Sequence, residues 1–310
     1  MDLKTDRPAI SQVKNAESFM KRFLSSLVIA VLVGASGTTG AQESQGRLAE
    51  DRQKQEKEEK EALDMQGFAV LAPQCFTSGS GFTFLKVCIT QRGNISHFES
   101  PAGSVHLQTR EGYVLCSNFF ETVGVHGFDA GSAEEGWAAA TVSQPGGPGT
   151  LPLVITRNSL DGLVQLKQTF NVIPGEREVS VTMAVKNRSA ASTLPKVVVD
   201  RYFDGDINGL TLNRYAATAR SVWGLADPLN QSAGLSLALA PSAVAIASAP
   251  KVQTFADWNP TSGGSRFARQ CGGSSQSLAG EADRVGRITT GIGDIAPGQT
   301  KSVTYRYHGI

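Results

Sequence analysis

Two neighbouring stretches of the chain carry apolar residues at every second position. Val164, Leu166, Phe170 and Val172 share one parity, and Gln165, Lys167, Thr169 and Asn171 share the other. After a Pro174-Gly175 turn the same period returns in Val179, Val181, Met183 and Val185. Successive side chains of a strand point to opposite faces, so these runs predict a hairpin with one face in a core and one in water. Further β-rich runs lie at 82–90, 95–99, 105–108, 113–116, 151–156, 210–215, 221–225, 252–255, 284–290 and 302–307. The alanine-rich run 235–249 reads as strand or buried helix. The stretch 119–136 is glycine-broken and acidic, and is expected to be a long loop. Pro145-Gly146-Gly147-Pro148-Gly149 is expected to be a surface turn, because alternation resumes directly after it. The fold class expected is all-β, a large antiparallel β-sandwich of the supersandwich kind.

The stretch Lys196 to Leu210, KVVVDRYFDGDINGL, changes character half-way. Val197, Val198 and Val199 are β-branched and suit a buried strand. Asp200, Asp204, Asp206 and Asn208 then place oxygen-bearing side chains on the strand end and a turn containing Gly205 and Gly209. Asp204-Gly-Asp-Ile-Asn-Gly209 matches the opening half of a calcium loop, in which alternating oxygens wrap a hard cation. Asp204, Asp206 and Asn208 are therefore the candidate ligands of a Ca²⁺ ion. The twelfth loop position is Tyr215 rather than Glu, so Asp200 or a carboxylate from 129–135 would have to complete the shell. The alternative is a turn whose Asp and Asn side chains bond their own backbone.

The chain has 310 residues and a formal net charge of +1. Residues 1–19 are polar and charged, and are read as an over-extended start before Met20. Residues 20–41 read as a signal peptide, with Lys21 and Arg22 preceding the apolar run Phe23 to Val33 and a cleavage site after Ala41. That run falls short of the roughly 20 residues needed to span a bilayer, so no transmembrane anchor is expected in the mature chain. Residues 42–65 form a charged linker, helical or disordered, with no apolar face to bury. Residues 66–310 are left as the β-sandwich domain. The absence of a basic patch interleaved with aromatics excludes nucleic acid as a partner.

Four cysteines, Cys75, Cys88, Cys116 and Cys271, follow the apolar run. An even number in an exported chain predicts disulfides and a secreted or periplasmic location. Cys75 and Cys88 flank a turn-rich spacer and are expected to pair, leaving Cys116 for Cys271. Zinc is the alternative, but no CxxC pair occurs and the four histidines are scattered. Neither a G-x-S-x-G elbow nor an H-E-x-x-H pair is present. Among the histidines, His126 is the functional candidate, because it lies in the acidic glycine-rich stretch. Trp137, Trp223 and Trp258 have polar or acidic neighbours, and Trp258, between Asp257 and Asn259, is the candidate stacking face for a sugar, with core or rim packing as the alternative for all three.

Three segments resemble the galactose mutarotase-like (aldose epimerase-like) superfamily of β-supersandwiches. They are Gly93 to Pro101, the passage from Val181 to Ser189 through Val197 to Phe203, and Pro297 to Tyr307. The resemblance implies a sugar-binding cleft floored by the strand of Asp200 and Tyr202, with Arg201 on the opposite face. Aldose epimerases carry an acid-donating His before the Tyr-Phe pair, where this chain has Asp200-Arg201. They also carry a late Glu as base, whereas the region 266–273 has none before Glu281. The resemblance therefore implies a non-catalytic carbohydrate-associated or cell-envelope module, with Asp200, Tyr202 and Trp258 as ligand contacts. A carbohydrate-active epimerase or lyase and a purely structural surface protein are the alternatives.

Overall fold

In a computed structural model, the described residues are 72–310 without 108–110, 120–121, 131–133, 174, 206, 208–213, 226–233, 241–246, 255–270 and 272–283. The expected signal peptide, 20–41, and the expected charged linker, 42–65, lie outside them. No α-helix occurs among the described residues, and the chain runs through antiparallel strands. They are β1 (Gln74–Ser78), β2 (Leu85–Ile89), β3 (Ile95–Glu99), β4 (Val105–Leu107), β5 (Glu111–Phe119), β6 (Thr122–Asp129), β7 (Glu134–Glu135), β8 (Thr141–Ser143) and β9 (Leu153–Asn158). Then follow β10 (Val164–Val172), β11 (Glu178–Asn187), β12 (Leu194–Asp204), β13 (Arg214–Ala217), β14 (Ser221–Leu225), β15 (Gly234–Leu239), β16 (Ala247–Thr254), β17 (Arg284–Ile295) and β18 (Thr300–Gly309).

An eight-stranded sheet, β13-β14-β15-β18-β11-β10-β9-β8, packs against a six-stranded sheet, β16-β17-β12-β5-β6-β7. A four-stranded meander, β1-β2-β3-β4, adds Phe76, Val87, Ile95 and Phe98 to the same core. The β10–β11 hairpin is the one expected: Leu166 pairs with Val185 and Phe170 with Val181, and all four are fully buried. Gln168 takes the remaining inward place of β10 and is buried as well. The alanine-rich run resolves as strand where it is described, in β15 and β16.

The expected long loop at 119–136 is overturned, because it holds β6 and β7. Two devices hide the strand. A bulge between Leu115/Gly127 and Cys116/Val125 inserts His126 and interrupts the alternation of β6. Gly127 is also not a loop glycine: a Cβ there would lie 2.6 Å from the Trp137 ring. The residue is small so that an indole can lie on the strand. The turn at Pro145–Gly149 forms as expected between β8 and β9.

Strand β12 is the central member of the six-stranded sheet and divides its residues by parity. Val197, Val199, Arg201 and Phe203 face the main core between the sheets. Asp200 and Tyr202 face the other side, where Val114, Cys116, Phe128, Ala130 and Val285 form a smaller cluster with Cys271 against it. Both disulfides form as paired above: Cys75–Cys88 lies directly across β1 and β2, and Cys116–Cys271 closes over the smaller cluster.

Candidate functional site

On the outer face of β12, antiparallel register places Asp200 opposite Thr289 and Tyr202 opposite Arg287. The diagonal from Asp200 to Arg287 is within reach of a long side chain. Arg287 Nε accordingly donates to Asp200 Oδ2 at 2.7 Å, and Thr289 Oγ1 donates to the same oxygen at 2.9 Å. The Tyr202 hydroxyl donates to the Asp129 carbonyl at 2.7 Å, and burial holds its pKa well above the usual tyrosine range. Asp200 and Tyr202, the expected sugar contacts, are both fully buried. The third, Trp258, lies outside the described residues.

The inner face of β12 carries a buried ion pair that the sequence did not announce. Arg201 Nε lies 2.6 Å from Glu111 Oε1 and donates to the Tyr307 hydroxyl at 2.8 Å. Its Nη1 donates to Gln168 Oε1 at 2.9 Å and its Nη2 to the Gly93 carbonyl at 3.1 Å. The Phe170, Tyr307 and Tyr113 rings lie about the guanidinium. Burial pushes the Glu111 carboxyl up to about 7, against the pull of Arg201, the Tyr307 hydroxyl and the Ile95 amide. Gly93 belongs to this network. Its φ is +89°, and a Cβ would lie 2.0 Å from Gln168 Nε2. Gly93→Ala is expected to cost about 1–3 kcal/mol from the backbone alone, read as a lower midpoint in urea. An unchanged midpoint would show that the turn relaxes freely.

A second buried pair ties β9 to β6 and β7. Arg157 Nη1 donates to Asp129 at 2.9 Å, Asn94 Nδ2 donates to the same carboxylate at 2.5 Å, and Arg157 Nη2 pairs with Glu134. The Arg157 guanidinium lies 5.7 Å from the centre of the Trp137 ring. Glu134 is thus an ion-pair partner of this arginine, and Trp137 a buried wall beside it.

The metal candidates divide. Asp204 is nearly buried, and the Gly205 amide donates to the Tyr215 hydroxyl at 2.8 Å. Asp206 and Asn208 lie outside the described residues. Among the described residues, no group of three His, Cys, Asp or Glu side chains is placed to hold a metal ion.

At the bulge of β6, His126 sits between Ser117 and Asp161. Its Nε2 is 2.7 Å from Ser117 Oγ on β5, and its Nδ1 is 2.7 Å from Asp161 Oδ2 in the β9–β10 turn. Asp161 Oδ1 accepts from Ser159 Oγ at 2.5 Å and from the Leu163 amide at 2.8 Å. Partial burial raises the Asp161 pKa, but these bonds and His126 outweigh it, and the net is below the usual Asp range. Of these residues the sequence pointed only to His126. Ser117 and Asp161 lie 9 and 35 positions away from it and belong to no local motif.

No protein-family model matches the chain, and no curated protein does so by sequence. Among solved structures, it resembles a bacterial glucoamylase complexed with acarbose at a TM-score of 0.47 and 9% identity, over 78% of this chain and 32% of that one. A putative aldose 1-epimerase from Escherichia coli K12 gives 0.46 and 12%, over 77% of this chain and 99% of that one. A heparan sulfate lyase mutant from Pedobacter heparinus gives 0.42 and 7%, over 78% and 35%. The chain thus spans about a third of the glucoamylase and of the lyase. The likeness is a weak one of fold, and no residue's role follows from it.

Proposed function

We propose that the protein acts after export as a carbohydrate-associated β-sandwich module that binds glycan without turning over its anomeric centre. The observation that carries the second half of this reading is the state of Asp200 and Arg201. By the sequence resemblance they take the place of an aldose epimerase's acid, and each is committed to an ion pair, with Arg287 and Glu111 respectively. Ring opening needs a proton donor and an acceptor free to exchange with the sugar. Two locked pairs on opposite faces of one strand supply rigidity in place of that exchange.

In this reading Asp200 and Tyr202 hold β12 in register, and Trp258 offers the aromatic face with Asp257 and Asn259 as its polar neighbours. Sequence supports the export half through the signal-like residues 20–41, and the two disulfides fit an oxidising compartment. No helix among the described residues is long and apolar enough to cross a membrane.

The test pairs calorimetric titration across a glycan panel with polarimetry on glucose and galactose. Binding is expected to fall about tenfold in Trp258→Ala, the loss of one stacking contact of roughly 1–1.5 kcal/mol. Mutarotation is expected to proceed at the uncatalysed rate. Accelerated mutarotation would return the protein to the epimerase class, and silence across the whole panel would favour a structural surface role.

A further inference from the structure

We propose that Ser117, His126 and Asp161 form a nucleophilic triad that accepts an acyl group from a small carboxylic ester. This goes beyond the glycan reading, does not depend on it, and departs from the non-catalytic expectation. A serine hydroxyl is a weak nucleophile until an adjacent base takes its proton and a third group orients that base. Both conditions are met here by geometry. Ser117 Oγ lies 2.7 Å from His126 Nε2, and His126 Nδ1 lies 2.7 Å from Asp161 Oδ2.

The proton positions follow from the chemistry of the partners. An ionised carboxylate only accepts hydrogen bonds, so His126 Nδ1 must carry a proton and donate it to Asp161. In the neutral ring Nε2 is then the acceptor, and the Ser117 hydroxyl must donate to it. Asp161 cannot swing away, because Ser159 Oγ and the Leu163 amide hold its other oxygen at 2.5 and 2.8 Å. Ser117 is held as firmly, since its neighbour Cys116 is bonded to Cys271. The bulge at His126 belongs to the same arrangement. An inserted residue re-aims a side chain out of strand alternation, and here the re-aimed side chain is the base.

The site is narrow. Ser117 is 1% exposed and His126 5%, while the Asp161 side chain is 39% exposed. The chain neighbours Leu160 and Val125 are exposed apolar residues. The step balances with an ester and water. Ser117 Oγ forms a bond to the carbonyl carbon as its proton passes to His126 Nε2, and the ester C–O bond then breaks. The leaving alcohol takes the proton from His126, and water, deprotonated by His126, releases the carboxylic acid and restores Ser117.

The experiment uses the full chain, phenylmethylsulfonyl fluoride as probe and p-nitrophenyl acetate as substrate. In the first reaction Ser117 Oγ displaces fluoride, the released proton leaves with it, and peptide mapping is expected to find the sulfonyl group on Ser117. Ser117→Ala, a small change beside His126, is expected to abolish both the label and the hydrolysis. Asp161 is a positioning residue. Asp161→Asn is expected to lower the limiting rate of modification about 100-fold or more, while leaving the half-saturating probe concentration in place. A purely structural contact would not separate those two quantities. A melting curve for each variant confirms that it is folded. An unlabelled Ser117 in folded protein, or hydrolysis that survives Ser117→Ala, would overturn the proposal. Failure here leaves the glycan titration untouched, so the two readings fall separately.

Discussion

Arg201→Met is expected to destabilise the domain by about 3–5 kcal/mol, the usual cost of removing one partner from a buried ion pair. Glu111 and Arg201 are both fully buried, so neither can exchange its partner for water. Methionine replaces much of the side-chain volume among Phe170, Tyr307 and Tyr113, and the loss is therefore electrostatic more than steric. In urea the midpoint should fall with an unchanged slope. For a domain of this size, the melting temperature should drop by roughly 6–20 °C.

The deficit should depend on pH, with a definite sign. A carboxyl whose folded pKa is raised stabilises the fold in its protonated form. That contribution is complete below the ordinary value of 4.5 and lost as pH rises through about 7. Removing Arg201 raises the carboxyl further, so the variant should lose less at pH 5 than at pH 8. Arg201→Met with Glu111→Leu should recover much of the stability, because an apolar pair leaves no buried charge. A single-variant loss below about 1 kcal/mol would mean that water reaches Glu111 after all.

Alternation was enough to find the β10–β11 hairpin, because those strands have one face in the core and one in water. It also gave the division of β12, with Arg201 opposite in direction to Asp200 and Tyr202. It did not give their environment. A polar run at a strand end reads as a loop-borne site, yet the six-stranded sheet is covered on both faces and buries all three residues. What saturates them comes from 73 to 106 positions away, in Arg287, Thr289, Glu111, Tyr307 and the Asp129 carbonyl, and no local pattern encodes such pairings. Strand β6 was missed because Gly127 serves close packing and the bulge at His126 breaks the period. His126 was legible only as an isolated histidine in an acidic setting. Its partners, Ser117 and Asp161, meet it only when β5, β6 and the β9–β10 turn come together. The disulfide pairing was legible because the Cys75–Cys88 spacing brackets a turn, after which one pairing remained.

Those two disulfides should differ in what they contribute. A cross-link stabilises chiefly by restricting the unfolded chain, and the effect grows with the loop it closes. Cys75–Cys88 has a sequence separation of 13, and Cys116–Cys271 one of 155. Chain-entropy estimates put these at about 3 and about 5 kcal/mol respectively. The difference should be visible as a deeper fall in the urea midpoint for Cys116→Ala with Cys271→Ala than for Cys75→Ala with Cys88→Ala. Packing acts in the same direction, because Cys116 is buried among Val114, Phe128, Tyr202 and Val285, and truncating it leaves a small void there. The long-range cross-link also fixes β5 one residue from Ser117. Its removal should therefore slow sulfonylation of Ser117, measured under conditions where the variant remains folded, whereas removal of Cys75–Cys88 should leave that rate unchanged. Equal losses of stability would mean that the unfolded chain already holds Cys271 near Cys116. Equal effects on the labelling rate would mean that Ser117 is positioned by the β5–β6 pairing alone.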